Sequence, residues 1–181
     1  MSAPPEFEIA IPKATIADSV DPGQLRTLAA VAERAGFDAI SVGDHVTIPA
    51  DIPDEYPFTP AGEAPLAVSN AIHDVFLALA DLCDATDEIA LGSNVCVVPY
   101  RHPLVLARNV LTLLSLSDGR FEFGVGAGWL RTEFEALDVP FEERGSRTDE
   151  FLELFERICR EGQLAFDGPH HSFEEVGFYP Q

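Results

Sequence analysis

The chain contains 181 residues, of which 46% are hydrophobic, and its 31 acidic and 11 basic residues give a net charge of −20. This length and hydrophobic fraction are typical of one globular domain with a core, and they exclude a disordered acidic chain. The negative charge excludes nucleic acid and anionic membranes as partners, because both would repel the protein.

An acidic surface of this kind resembles that of cytoplasmic proteins from extreme halophiles. We therefore expect a cytoplasmic protein whose fold needs salt to screen its charges. The three cysteines, Cys83, Cys96 and Cys159, are odd in number and widely spaced, which indicates buried thiols in a reducing compartment. The histidines lack the spacing of a zinc site, so no metal is expected. The N-terminus has no signal-peptide pattern, and no apolar run reaches transmembrane length.

Strand and helix patterns alternate along the first half of the chain. They predict a strand at 7–11, an amphipathic helix at 22–35, a second strand at 39–42 and a long proline-rich loop at 49–65. Gly36 ends the predicted helix at the position where helices favour glycine. A loop as long as 49–65 in a compact domain is usually functional or mobile.

The second half of the chain continues this alternation. It predicts a helix at 70–85, a strand at 89–98, a helix from Pro103 to Asp118-Gly119, a strand at 121–125, a helix that starts near Trp129, a helix at 147–161 with a capping box at 146–149, and a hairpin at 164–179. The strand at 89–98 is almost continuously apolar, which indicates burial on both faces, as in a parallel sheet.

A glycine-rich turn follows the strand at 121–125. Gly124, Gly126 and Gly128 recur at every second position, so an extended chain places them on one face, where a flat or charged group can approach the backbone. The next helix start suits an anion such as phosphate. The alternative is a tight turn that needs glycine for its geometry alone. The dinucleotide-binding fingerprint is excluded, because position 129 is Trp.

Four strand–helix units in succession imply right-handed crossovers and a parallel α/β sheet. Two architectures fit this pattern. One is a small doubly wound sheet, and the other is part of a (β/α)8 barrel, whose complete form needs roughly 250 residues.

Several segments, which follow one another in order over nearly the whole chain, match the sequence pattern of a known family. They are Ala35-Gly36-Phe37-Asp38, Asp44-His45, Leu91-Gly92-Ser93-Asn94-Val95, Pro99-Tyr100-Arg101-His102-Pro103, Ser117-Asp118-Gly119-Arg120-Phe121, the turn 124–129, Phe134-Glu135-Ala136-Leu137, the stretch 141–150 and Val176-Gly177-Phe178-Tyr179-Pro180. With them the chain resembles the bacterial luciferase-like monooxygenases, and among these the deazaflavin (F420)-dependent oxidoreductases. The resemblance implies a TIM-barrel fold with its active site at the C-terminal ends of the strands.

The resemblance also implies catalytic residues. Asp44 and His45 stand where the family places polar groups beside the flavin ring or the substrate. Imidazole suits proton transfer there, because its pKa lies near neutrality. The alternative is that Asp44 caps a loop and His45 only packs.

The cofactor implied is F420, with reduced FMN as the alternative. Asn94 and Val95 match the position where F420-dependent members carry a cis peptide that supports the back of the ring. Gly126, Ala127 and Gly128 would lie against the cofactor.

Three further positions bear on the ligand. Trp129 stands where sugar-phosphate dehydrogenases of the family have a catalytic acid, which argues against that substrate class. Arg101 and His102 could meet an acidic cofactor tail, or they could simply start a helix. The resemblance therefore implies a small organic substrate but does not identify it.

The chain ends where the family enters its fifth strand. The segment 164–181 would lead into that strand, so we expect a truncated barrel of about four β/α units, a half barrel with unpaired edge strands. It could pair with itself as a homodimer or with a second half-barrel chain, derive from a truncated or split reading frame, or be a fragment. We expect an oxidoreductase; the alternative is a non-catalytic half barrel that needs a second chain to complete the site.

Overall fold

The computed structural model describes residues 7–11, 22–50, 52, 56–57, 59–62 and 72–179. Parts of the proline-rich segment predicted at 49–65, and the first residues of the helix predicted at 70–85, therefore lie outside the described residues. Within the described ranges, no helix has both the length and the apolar character needed to cross a membrane.

Strands and helices alternate along the described chain, as the sequence pattern predicts. The strands are β1 (Glu8–Ile11), β2 (Ala39–Val42), β3 (Ala90–Ser93), β4 (Cys96–Val97), β5 (Phe121–Glu122), β6 (Val125–Gly126), β7 (Gln163–Asp167) and β8 (Ser172–Gly177). The α-helices are α1 (Pro22–Arg34), α2 (Val75–Cys83), α3 (Pro103–Leu116), α4 (Arg131–Ala136) and α5 (Arg144–Glu161).

The central sheet has four parallel strands in the order β1-β2-β3-β5 among the described residues. Ile40, Leu91 and Phe121 lie at one level of its register and belong to the main hydrophobic core, together with residues of the helices. The spatial order follows the chain order, which is the winding of a (β/α)8 barrel. A doubly wound sheet would instead reverse its order at a switch point, so that alternative does not describe this sheet.

The third strand is interrupted, although the sequence predicts one continuous strand over 89–98. Gly92 pairs with Glu122 and Cys96 pairs with Val125, so three residues lie between the paired positions on this strand, whereas only two lie between Glu122 and Val125 on the partner strand. The extra residue makes a bulge, which breaks the ladder and restarts it as the pair β4–β6. The peptide bond between Asn94 and Val95, inside this bulge, is cis.

Helices α2 and α5 start at other residues than the sequence predicts, because local hydrogen bonds set where each helix begins. Asp74 caps α2, because its Oδ1 accepts bonds from the backbone N–H groups of Phe76 and Leu77. Helix α5 begins at Arg144 without a side-chain cap, so the capping box predicted at 146–149 is wrong. A short 3-10 turn at Phe141–Glu143 leads directly into this helix and takes the place of a cap.

The cysteines do not share one environment. Cys96 is buried and Cys83 is half-buried, but Cys159 is exposed on α5. The expectation of three buried thiols is therefore wrong for Cys159, because its helix turns this position away from the core that Leu154 and Ile158 enter.

Candidate functional site

The candidate site lies where the parallel strands end. Asp44 and His45 follow β2, the Asn94-Val95 bulge separates β3 from β4, and the turn 126–128 follows β5 and β6. The carboxyl ends of parallel strands meet at one edge of a sheet. The sequence-predicted site residues therefore gather at this edge, and the contacts below join them.

Asp44 is buried and forms an ion pair. Its carboxylate accepts two hydrogen bonds from the Arg101 guanidinium, at 2.6 and 2.9 Å, and one from the backbone N–H of Val97 at 3.0 Å. Arg101 also donates to Asp74 at 3.2 Å. Burial disfavours a charged guanidinium, but the hydrogen bonds to Asp44 outweigh it and keep the pKa of Arg101 above its usual range. Arg101 is therefore charged, and the hydrogen bonds of Asp44 to Arg101 and Val97 tie the end of β2 to β4.

Arg101 and His102 both contact other groups of the chain, so neither is positioned to bind an acidic cofactor tail. Arg101 is held by two carboxylates, as described above. His102 caps α3, because its Nδ1 accepts a bond from the backbone N–H of Leu104 at 3.3 Å. Burial and the neighbouring His171 lower the pKa of His102. The alternative that these residues start a helix thus describes His102.

His45 is buried beside aromatic rings and a carboxylate. Its Nδ1 lies 2.6 Å from Oε2 of Glu133. The Trp129 ring meets the imidazole edge to face, with 6.5 Å between ring centroids, and Tyr56 lies against Trp129 at 5.0 Å. The imidazole is therefore held on one side by a carboxylate and on another by an apolar wall.

Glu133, which the sequence did not reveal as a site residue, is fully buried in the first turn of α4. Its Oε2 accepts bonds from His45 and from the Tyr100 hydroxyl at 2.8 Å, and its Oε1 accepts the backbone N–H groups of Val46 and Thr47 at 2.7 and 3.1 Å. Burial alone would raise the pKa of Glu133, but these bonds lower it below the usual value. Glu133 is therefore an ionised buried carboxylate.

Tyr100 belongs to the same network. Burial and the neighbouring Glu133 carboxylate raise the pKa of its phenol. An acidic residue in a first helical turn is ordinarily a solvated cap, so no local pattern could have marked Glu133 or its link to Tyr100. The hydrogen-bond partners of Glu133 lie 33 to 88 positions away in the chain.

The bulge presents an apolar side chain on the glycine-rich turn. Val95 is 41% exposed. A Cβ added to Gly126 would lie 2.6 Å from Cγ2 of Val95, and one added to Gly124 would lie 2.1 Å from the carbonyl oxygen of Ser93. The chain's own bulge therefore requires both glycines, which favours the geometric explanation for them. The residues 126–129 are half-buried.

The start of α4 does not favour phosphate. The helix has only six residues and begins at Arg131. Its first turn already carries the ionised Glu133, and Arg131 pairs with Glu142 at 2.8 Å. A short helix with a carboxylate in its first turn attracts an anion weakly. The arrangement suits a flat apolar ring on Val95 better than a phosphate on the helix.

Comparison with known proteins shows the family. The sequence model of luciferase-like monooxygenases matches residues 7–181. An F420-dependent glucose-6-phosphate dehydrogenase of Intrasporangium calvum is 30% identical over 173 residues, which make up 90% of this chain and 46% of that protein. The chain spans about half the length of the curated relatives it matches.

Solved structures give the same result for the fold. The monooxygenase RslO1 of Streptomyces bottropensis superposes with a TM-score of 0.76 at 26% identity, over 97% of this chain and 49% of that one. The FMN complex of the oxygenating constituent of 3,6-diketocamphane monooxygenase, from Pseudomonas putida, has a TM-score of 0.71 at 16% identity, over 96% and 43% of the two chains. With the family model matched from the first strand to the last residue, the chain belongs to the luciferase-like monooxygenases.

Proposed function

We propose that this chain forms the cofactor-binding part of an oxidoreductase that acts on a small organic molecule with F420, or alternatively with reduced FMN. The observations that carry the proposal are the exposed Val95 and the buried pair of His45 and Glu133, which follow strand ends at the C-terminal edge of a parallel sheet. Ligands of barrel enzymes bind at this edge. The name of one relative specifies F420, and one structure of the same fold contains FMN.

The residues present fit the ring of such a cofactor. Val95 and the turn of Gly126, Ala127 and Gly128 offer an apolar surface that is partly exposed, and Asn94 beside it is exposed and can donate hydrogen bonds. These residues would hold the ring. The resemblance of Ser93-Asn94-Val95 and of the segment 99–103 to F420-dependent members places F420 before FMN.

When bound, F420 supplies hydride transfer, whereas reduced FMN supplies activation of dioxygen. This chain's own residues orient the reactants and move a proton. His45 would take or give that proton at its ring, next to the cofactor site. Asp44, whose oxygens are used by Arg101 and Val97, would act by holding the end of β2 in place. Sugar phosphates are left out of the proposal, because Trp129 cannot replace the catalytic acid of those dehydrogenases.

A second unit would complete the site. The strands β1 and β5 are the outer strands of the described four-stranded sheet, and each can pair with one more strand. We propose that a second copy of the chain, or a second half-barrel chain, covers these edges.

The test is a fluorescence titration with F420, and separately with FMN, in molar KCl, with the mass measured by light scattering. We expect binding by the wild type and loss of binding in Val95→Asp. The matched control is Val31→Asp, because Val31 is 46% exposed on α1, outside the site, and this variant should bind like the wild type. Equal loss in both variants, or no binding of either cofactor to the wild type, would refute the proposal. Binding by a dimer alone would identify the second copy as the completing unit.

A further inference from the structure

The Glu133 carboxylate is enclosed by hydrogen-bond donors. Two of its four bonds come from the backbone N–H groups of Val46 and Thr47, which can only donate, and both go to Oε1. At Oε2 the Tyr100 hydroxyl donates a third bond, and Nδ1 of His45 lies 2.6 Å away as the fourth partner. A carboxylate offers about four acceptor positions, so these bonds fill it.

This arrangement decides which ring nitrogen of His45 carries the proton. An ionised carboxylate has no proton to donate, so a contact of 2.6 Å with Nδ1 requires that Nδ1 carry a hydrogen. In the neutral ring Nε2 then has no proton and is free to accept one. Asp44 directly precedes His45 in the chain, but it cannot accept this proton, because its oxygens already accept hydrogen bonds from Arg101 and Val97.

We propose that Glu133 is the positioning residue of the site: it fixes His45 as the Nδ1–H tautomer, so that Nε2 is the atom that accepts a proton from the substrate or the cofactor. The tautomer follows from the hydrogen bonds and the ionised state of Glu133, and its use in catalysis rests on the proposed function. Glu133 itself keeps its charge and stabilises the imidazolium that forms. The Tyr100 hydroxyl is committed to Glu133 as a donor and is not the acid of the reaction.

The variant Glu133→Gln tests this assignment. Its amide oxygen must stay at the position of Oε1, because the backbone N–H groups of Val46 and Thr47 cannot accept a bond. The amide N–H2 then faces Nδ1 of His45 and donates to it. We therefore expect the proton of His45 to move from Nδ1 to Nε2. Tyr100→Phe is the matched control, since it removes one bond to Glu133 but leaves the carboxylate and should keep the Nδ1–H tautomer.

The measurement is 15N NMR of the histidine rings in the full-length chain, with the His45 signals identified by their loss in His45→Gln. Nδ1–H in the wild type and Nε2–H in Glu133→Gln is the expected result. Nε2–H in the wild type, or an unchanged tautomer in Glu133→Gln, would overturn the proposal. If Glu133→Gln does not fold, the tautomer of His45 in the wild type and in Tyr100→Phe tests the proposal. Absence of the Nδ1–H tautomer in either protein would refute the proposal.

An F420 titration of the same samples separates this inference from the proposed function. Absence of F420 and FMN binding in the wild type would refute the proposed function and leave the tautomer result standing.

Discussion

The charged side chains that are hidden from water lie mainly around the proposed site. Asp44 has no exposed side-chain surface, Arg101 has 11%, and the ionised Glu133 has none. A buried ion pair contributes little relative to apolar residues of the same shape, but breaking it leaves one charge buried and uncompensated. The site therefore depends on the pair being intact.

We expect Asp44→Asn to lower the free energy of unfolding by about 3–5 kcal/mol, since Arg101 would stay buried with only the more exposed Asp74 as its partner. The control is Asp81→Asn. Asp81 pairs with Arg26, and 33% and 47% of these two side chains are exposed, so the loss should be below about 1 kcal/mol. Urea denaturation measures both. Equal losses would contradict the structural importance of the Asp44 pair.

Sequence reasoning predicted some site residues and missed others, for a physical reason. Asp44 and His45 follow a strand end directly, so resemblance and position both identify them. Glu133 lies in a helical first turn, where a carboxylate is ordinary. Only its burial against residues 33 to 88 positions away reveals its part in the site. Long-range burial of a charge leaves no local pattern to read.

Among the elements, the bulge between β3 and β4 fixes the shape of the site. Periodicity predicts a buried strand over 89–98, which is wrong at the exposed Asn94 and Val95, because a pattern of apolar residues cannot show one extra residue. That residue becomes visible only in the pairing with β5 and β6. Periodicity thus predicted the winding of strands and helices but not the local break that presents Val95, whereas the family resemblance did predict the cis peptide at Asn94 and Val95 that the structure contains.

Gly124→Ala tests the close packing behind the bulge. The added Cβ would lie 2.1 Å from the Ser93 carbonyl oxygen, a backbone atom that cannot move without shifting β3. We expect a loss of about 1–3 kcal/mol in the free energy of unfolding, together with weaker F420 binding. Gly145→Ala is the control, because nothing lies within 4 Å of its added Cβ and alanine favours the helix α5. The midpoint of thermal unfolding should fall in Gly124→Ala and rise in Gly145→Ala. A higher midpoint in Gly124→Ala would contradict this packing.

Glu150 attaches the hairpin of β7 and β8 to α5. Its carboxylate accepts a bond from the backbone N–H of His170 at 2.7 Å and lies 2.5 Å from Nδ1 of His171. Burial alone would raise the pKa of Glu150, but these bonds outweigh it and lower the pKa. A lowered pKa contributes stability that is present above the unfolded-state pKa, about 4.3, and is lost as the pH falls through the folded-state pKa.

We therefore expect the wild type to lose stability as the pH falls below about 4.3, and Glu150→Gln to lose less over the same range. At neutral pH Glu150→Gln should be less stable by about 1.5–3 kcal/mol, the contribution typical of hydrogen bonds to a charged group. Its hairpin amides at 163–177 should exchange hydrogen faster. Glu153→Gln, an exposed position on the same helix, should keep the wild-type pH slope. Parallel slopes in all three proteins would contradict the role of Glu150.

At the scale of the whole molecule, acidic residues greatly outnumber basic ones. The chain carries 31 acidic and 11 basic residues, and several arginines are already paired with carboxylates. The remaining carboxylates repel one another over distances that salt controls, because the screening length falls from about 10 Å at 0.1 M to about 3 Å at 1 M. Repulsion of this kind destabilises the compact state without altering any single contact.

We expect the thermal midpoint to rise as KCl increases, with most of the gain below about 1 M, where the screening length is still shortening. Sucrose is the control, because it stabilises proteins by exclusion from their surface and leaves charge repulsion unscreened. KCl should therefore stabilise strongly at low concentrations, at which sucrose has little effect. Differential scanning calorimetry with light scattering on the same samples distinguishes screening from association. A midpoint that is flat in KCl at constant mass would show that the acidic surface does not govern stability, and with it the expectation of a salt-requiring protein would fail.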